Sequence, residues 1–309
     1  MLFIFILEEI KYEKVYFSYL YVSSERSEKG VNFIMKVFIC GGGSGVQTRD
    51  AYNKLDELIN HSKPLLYIPL AMDYNEYDSC YEWITEELRA LDICKIDMVR
   101  SARELEEKNL NDYCAIFIGG GNTYKLLFEL KLSGSFDKIK DFIYNDGIVF
   151  GGSAGAIIMG HDISSCECDD ENNVGLINTK GLDVLNGISF LCHYTNREEK
   201  KNIANTEFLG KKSHNMDIIA LPEDDTIFVN DGKIEIIGPC PYYIFSKGEC
   251  REERNKLIFK SVNYEKIYLK YVMCNKISKK MINEIRKIKK DRSVFYPFCW
   301  RRGWDSNPR

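Results

Sequence analysis

Three times in this chain a short, nearly continuous apolar run passes straight into glycines. "MKVFIC" enters "GGGSG" (35–45), "CAIFI" enters "GGGNT" (114–123) and "GIVF" enters "GGSAGA" (147–156). A run too short for a helix and apolar at nearly every position reads as a strand buried on both faces. Glycines directly at its end mean a sharp turn, or a close approach to something else. Between such runs lie stretches with apolar residues at three- and four-residue spacing, around "YEWITEELRAL" and in "TYKLLFELKL", which predict helices. Alternating strands and helices of this kind predict an α/β domain, a largely parallel sheet flanked by helices. Short apolar runs also occur at 64–70, 93–99, 217–222, 226–230 and 233–238. The last three, separated by "EDD" and "NDG", predict a C-terminal antiparallel edge or hairpin turning at Asp231-Gly232.

Charge divides the chain. Residues 251–309 hold 17 Lys and Arg against 6 Asp and Glu, while the preceding 250 hold 25 against 40. An acidic body of this kind is not a nucleic-acid binder, and the basic tail reads as a separate object. The domain is therefore placed at 35–250, between an N-terminal extension, 1–34, and the tail. "EKGV" before Met35 can be encoded by a ribosome-binding sequence, and "DSNP" by the complement of a conserved transfer-RNA arm. The expectation is that the working protein starts at Met35 and that its last residues are mistranslated; a genuine extension is the alternative. The opening "MLFIFILEEI" has a six-residue apolar run with no basic flank, and no stretch is long enough to span a membrane. Eleven cysteines, an odd number scattered partly through apolar runs, predict free thiols and a cytoplasmic location.

Gly151-x-Ser153-x-Gly155 follows one predicted strand and opens a predicted helix, the context of a nucleophile elbow. Small neighbours give the backbone room to lift the hydroxyl above the strand ends, and the helix N-terminus offers N–H groups to developing negative charge. A serine nucleophile needs a base. Of the four histidines, His61 lies in a polar loop, His161 is two turns beyond Ser153, and His214 is held in reserve. His193 ends the apolar run "GISFLC" on the strand edge expected to carry Ser153, and is the favoured general base. The acidic loop "CECDDENNVG" (166–175), between the two, offers Glu167, Asp169, Asp170 and Glu171 to orient it. Cys166-x-Cys168 lacks the spacing and second pair of a zinc site, so no metal is predicted. The "GGGNT" turn lacks the lysine of a P-loop and makes more sense as the other half of an oxyanion hole.

In order, "IGGGNTYKLL", "GGSAGA", the acidic stretch, "GLDVLNG", "HYTN" and "LPEDDTIFVNDGKIEIIG" resemble the dipeptidase E and cyanophycinase family of serine peptidases, over roughly residues 35–248. The resemblance implies a fold like class I glutamine amidotransferases. It also implies Ser153 as nucleophile, His193 as base, and Gly120, Gly121 and Ala154 as oxyanion donors. For the third member it implies Glu171, at the spacing of the cyanophycinase branch, with Asp170 second; in the dipeptidase spacing the place falls on Asn173. The implied reaction is amide hydrolysis through an acyl-enzyme, with no cofactor, on small peptides at aspartyl residues. Arg197, four residues after His193, is the one nearby arginine for an aspartate carboxylate, and Asn122 a further substrate contact. The reading allows for a homodimer. Two alternatives remain: a catalytically inactive amidotransferase-like domain that binds a ligand, and a flavodoxin-like nucleotide binder.

Overall fold

The structure, a computed structural model, describes residues 35–231 and 233–254. The expectations for 1–34 and for the tail beyond Arg254 lie outside the described residues. In chain order the elements are β1 (Lys36–Cys40), α1 (Arg49–Asp56), β2 (Leu65–Ile68), α2 (Tyr77–Glu87), β3 (Ile96–Met98), α3 (Ala102–Glu107) and β4 (Ala115–Ile118). They continue with α4 (Thr123–Ser133), α5 (Ser135–Tyr144), β5 (Ile148–Gly152), α6 (Ala154–Ile157), β6 (Ile188–Leu191) and α7 (Glu199–Lys212). Last come β7 (Asp217–Ala220), β8 (Thr226–Asn230), β9 (Lys233–Ile237), β10 (Tyr242–Ser246) and β11 (Glu249–Glu253).

The main sheet has seven strands in the order β3-β2-β4-β5-β1-β8-β9. β3, β2, β4, β5 and β1 pair in parallel, so the carboxyl ends of β4, β5 and β1, with their three glycine turns, lie side by side. In open α/β sheets ligands bind at that edge. The expected α/β class holds, and the antiparallel hairpin is β8–β9, added beside β1. The run at 217–222 does not join it. β7 and β6 pair in parallel within a second sheet, ordered β11-β10-β7-β6, which periodicity did not anticipate. That sheet takes in the first residues of the basic tail, through β11.

Register explains how the first sheet is filled. Tyr67, Phe117, Phe150, Phe38 and Phe228 stand opposite one another on five adjacent strands, β2-β4-β5-β1-β8. Side chains alternate across a sheet, so all five rings point to one face. Phe38 stacks on Phe228 and on Phe150 with centroids 4.4 and 5.3 Å apart, and Phe117 stacks on Phe150 at 4.8 Å. Tyr52 and Leu55 of α1 and Ile84 of α2 close the same cluster. The opposite face carries α6. A Cβ on Gly155 would lie 2.2 Å from the Ile118 carbonyl oxygen, so only glycine lets this helix sit so close to the strand.

Asp225, immediately before β8, is fully buried. Its Oδ1 accepts the Cys240 N–H at 3.1 Å, and its Oδ2 takes no hydrogen bond among the described residues. Burial pushes its carboxyl up to about 6, against the Cys240 N–H and aided by the charge of Asp224. The native carboxyl thus keeps its proton where the unfolded one, near 3.8, has lost it. The native state binds more protons over that window, so this group's contribution to stability falls as pH rises through it.

Two outcomes are expected. Phe38→Ala removes an inner ring of the row and costs about 3–5 kcal/mol, read from the denaturant midpoint. Asp225→Asn gains stability relative to wild type as pH rises from about 4 to about 7; a difference that stays constant over that range would refute the assignment.

Candidate active site

Ser153 caps α6 at the end of β5, with φ 51° and ψ −113°. A non-glycine residue with positive φ is strained, and the surrounding packing must hold it there. Ser153 donates its backbone N–H to the Cys40 carbonyl at 3.3 Å, which ties the turn to the end of β1. Its Oγ lies 2.9 Å from Nε2 of His193. His193, two residues beyond β6, is also at positive φ, 56°. Its N–H donates to the Gly41 carbonyl at 2.9 Å, so the first glycine turn positions the ring. At Gly42 a Cβ would come within 2.3 Å of that imidazole, and the ring occupies the space a larger residue would fill.

The other ring nitrogen meets a carboxylate that neither periodicity nor spacing pointed to. Nδ1 of His193 lies 2.7 Å from Oε1 of Glu223, in the turn between β7 and β8. Glu223 is held from two sides: its N–H donates to Oδ1 of Asn196 at 2.9 Å, and its carbonyl accepts the Gly43 N–H at 3.2 Å. A carboxylate only accepts, so Nδ1 carries the proton and Nε2 is left to accept from the serine hydroxyl. The "EDD" of 223–225 reads locally as a turn between strands. Its one signal was an acidic residue at the end of an apolar run.

Glu171 is therefore corrected. It is exposed on its loop, where its carbonyl accepts the Asn122 side-chain amide at 2.9 Å and its carboxylate lies 3.4 Å from Nδ2 of Asn173. The acidic loop is used elsewhere. Asp170 Oδ2 accepts the Thr123 N–H at 2.9 Å, at the positive end of α4. Asp169 and Glu167 pair with Lys201 and Lys212 of α7 at 3.1 and 2.7 Å. Position between serine and histidine in the chain says nothing of which carboxylate packs against the ring.

The expected oxyanion donors surround Ser153. Ala154 is the first residue of α6, so its N–H has no intrahelical carbonyl to meet. A Cβ on Gly120 would lie 3.1 Å from Cβ of Ser153, and Gly120 and Gly121 line the same cavity as the serine. Gly119 and Asn122 donate their N–H groups to Ile68 and Ala71, and no hydrogen bond among the described residues uses the two amides between them. The two expected substrate contacts have protein partners. Asn122 caps α4, its Oδ1 accepting the Lys125 N–H at 2.9 Å while its amide holds Glu171. Arg197 lies 3.7 Å from Asp169 and does not line the cavity of Ser153. Of the other histidines, His61 is exposed and bonded to the Asp92 carbonyl, His161 lies near Asp183 and Lys180, and His214 is exposed.

The cavity beside Ser153 and His193 measures 380 Å³. Among the described residues no cluster of three His, Cys, Asp or Glu side chains could hold a metal ion. Burial drives the Cys166 thiol well above its usual range and that of Cys168 up to about 12, the reverse of what thiolate ligands need. No helix among the described residues is long and apolar enough to cross a membrane.

Residues 37–237 match the model of peptidase family S51. Peptidase E of Salmonella arizonae is 27% identical over 198 residues, 62% of this chain and 83% of that one. Peptidase E of Escherichia coli O1:K1 is 29% identical over 141 residues, 43% of this chain and 59% of the relative's length. Among solved structures, a putative peptidase E protein from Listeria monocytogenes superposes with a TM-score of 0.55 at 23% identity, over 67% of this chain and all of the other. A peptidase from an acI-B1 actinobacterium has the same TM-score at 16% identity, over 73% of this chain and 96% of its own. The structural likenesses carry the fold; the match over 37–237 carries the kinship. The chain belongs to peptidase family S51 and is a peptidase of the serine type.

Proposed function

We propose that this chain hydrolyses amide bonds in small peptides with Ser153 as nucleophile, His193 as general base and Glu223 as the carboxylate that orients it. One observation carries the reading: the unbroken path Oγ–Nε2, Nδ1–Oε1 at 2.9 and 2.7 Å. Glu223 holds the proton on Nδ1 and favours the imidazolium that forms when Nε2 takes the serine proton. As Oγ bonds to the substrate carbonyl carbon, the electron pair moves onto the carbonyl oxygen. The Ala154 amide and those of Gly120 and Gly121 are placed to stabilise that oxyanion. Collapse breaks the C–N bond, His193 gives its proton to the departing amine, and an acyl-enzyme remains. Water, deprotonated by the same imidazole, then releases the acid and restores Ser153.

Serine chemistry of this kind needs neither metal nor organic cofactor. The nine cysteines among the described residues are all free, which supports placing the enzyme in the cytoplasm. Glu223 also counts against the idea of an inactive relative, since with it Asn173 need not supply the charge. Arg197, expected to hold a substrate aspartate carboxylate, lies 3.7 Å from Asp169 in this structure.

Cleavage of a small dipeptide panel is expected to vanish in Ser153→Ala, and a fluorophosphonate should label Ser153 in wild type. Glu223→Gln should cut kcat by about 10⁴-fold, as loss of the orienting carboxylate does in serine triads. Glu171→Gln should stay within about twofold of wild type, as surface substitutions do. Strong loss at Glu171 with none at Glu223 would overturn the triad.

A further inference from the structure

Only one oxygen of Glu223 meets the histidine. Oε1 lies on Nδ1 of His193, while Oε2 faces Gln47, whose Nε2 is 3.4 Å away. The same Nε2 lies 3.2 Å from Oδ2 of Asp224. A side-chain amide carries two N–H donors on its nitrogen, so each carboxylate takes one. At the other end, Oε1 of Gln47 accepts the Ser44 N–H at 3.4 Å. These neighbours fix which way round the amide lies: reversed, its oxygen would face two carboxylates and its NH₂ a backbone donor. The Gln47 N–H donates to the Ser44 carbonyl at 3.2 Å, so side chain and backbone together close one turn just before α1. Gly43 lets this turn approach Glu223. A Cβ there would lie 2.3 Å from the Glu223 carbonyl oxygen and 2.9 Å from Cβ of Gln47.

The Glu223 side chain is 27% exposed, free enough to rotate into water unless something holds it, and holding it costs conformational entropy. A second contact on the carboxylate offsets that cost. Among the described residues no lysine or arginine pairs with Glu223 or Asp224, so the contact comes from a neutral donor. Neutrality suits the chemistry. A cation on Oε2 would oppose the charge that favours the imidazolium of His193, whereas an amide fixes the oxygen and leaves the charge in place. The amide also gives two carboxylates adjacent in the chain, whose charges repel, a shared donor. Gln47 does not line the cavity beside Ser153, so it acts on the reaction only through Glu223. We infer that Gln47 is a positioning residue of the triad, holding Oε2 of Glu223 so that Oε1 stays on Nδ1 of His193, a role that rests on Glu223 being the triad carboxylate.

The test is a double-mutant cycle of Gln47→Ala and Glu223→Ala, read by kcat on a dipeptide that wild type cleaves and by the rate at which a fluorophosphonate labels Ser153. Gln47→Ala is expected to lower kcat by about 10- to 100-fold, the scale of a reacting group displaced by about 1 Å, with KM within about twofold. In the Glu223→Ala background the same change should alter either rate by less than about twofold, because no carboxylate is left to hold. Gln47→Met, of similar length but without an N–H, carries the same cycle if the alanine variant unfolds the turn. A second readout is the far-downfield Nδ1–H resonance of His193 in protein labelled with ¹⁵N-histidine. It should be lost in Gln47→Ala while the other histidine resonances and the thermal midpoint stay as in wild type. Full kcat and an unchanged resonance in Gln47→Ala, beside an inactive Glu223→Ala, would overturn the role of Gln47 and leave the triad standing. Equal losses from Gln47→Ala in both backgrounds would do the same. Full activity of Glu223→Ala would refute the triad carboxylate, and the role of Gln47 with it.

Discussion

The backbone of Gly41 is bonded on both sides. Its carbonyl takes the N–H of His193 at 2.9 Å, and its N–H goes to the carbonyl of Asp225 at 2.9 Å. These two bonds join the end of β1, an inner strand of the first sheet, to the loops leaving β6 and β7 in the second. Leu221 donates to Leu191, and Tyr194 to Leu221, which continues the seam. A histidine on one sheet therefore reaches a serine on the other at a separation set by backbone hydrogen bonds, without relying on flexible side chains. Preorganisation of this kind is what catalysis by a triad demands, since small displacements of the reacting groups cost rate steeply.

Strain is placed at the same seam. Ser153 and His193 both have positive φ, and neither is a glycine. Each is held by a backbone bond to the β1 end, Ser153 to Cys40 and His193 to Gly41. The rigid row of rings beneath them supplies the support. Phe38, Phe117, Phe150 and Phe228 are almost wholly buried, and interiors so packed do not yield continuously to a local force. The aromatic layer thus stabilises the sheet and also lines the cavity beside Ser153.

The acidic character of the body has a mundane use in the loop after the elbow. Asp170 satisfies the first turn of α4, while Asp169 and Glu167 meet lysines of α7. An acidic stretch lying between a serine and a histidine invites assignment to a triad, yet a helix N-terminus and a basic helix face compete for the same carboxylates. In this fold those two partners win, and the histidine meets Glu223 instead.

Local chemistry made much of the molecule legible. Continuous apolar runs marked the parallel strands, three- and four-residue spacing marked α2 and α4, and small residues around Ser153 marked the elbow, because each depends on neighbours a few positions away. The hairpin at 226–237 was legible for the same reason. The second sheet was not: "GISFL" and "DIIA" read as strands, but nothing in their alternation says which sheet they join. Nor was Glu223, 30 positions beyond the histidine it meets. Which carboxylate meets an imidazole is decided by the bonds of Asn196 and Gly43 to the Glu223 backbone, contacts between segments far apart in the chain that exist only once both sheets have packed. The sequence determined that a serine in an elbow turn would stand at the strand ends. Tertiary packing chose the histidine and the carboxylate that meet there and lined the cavity with rings.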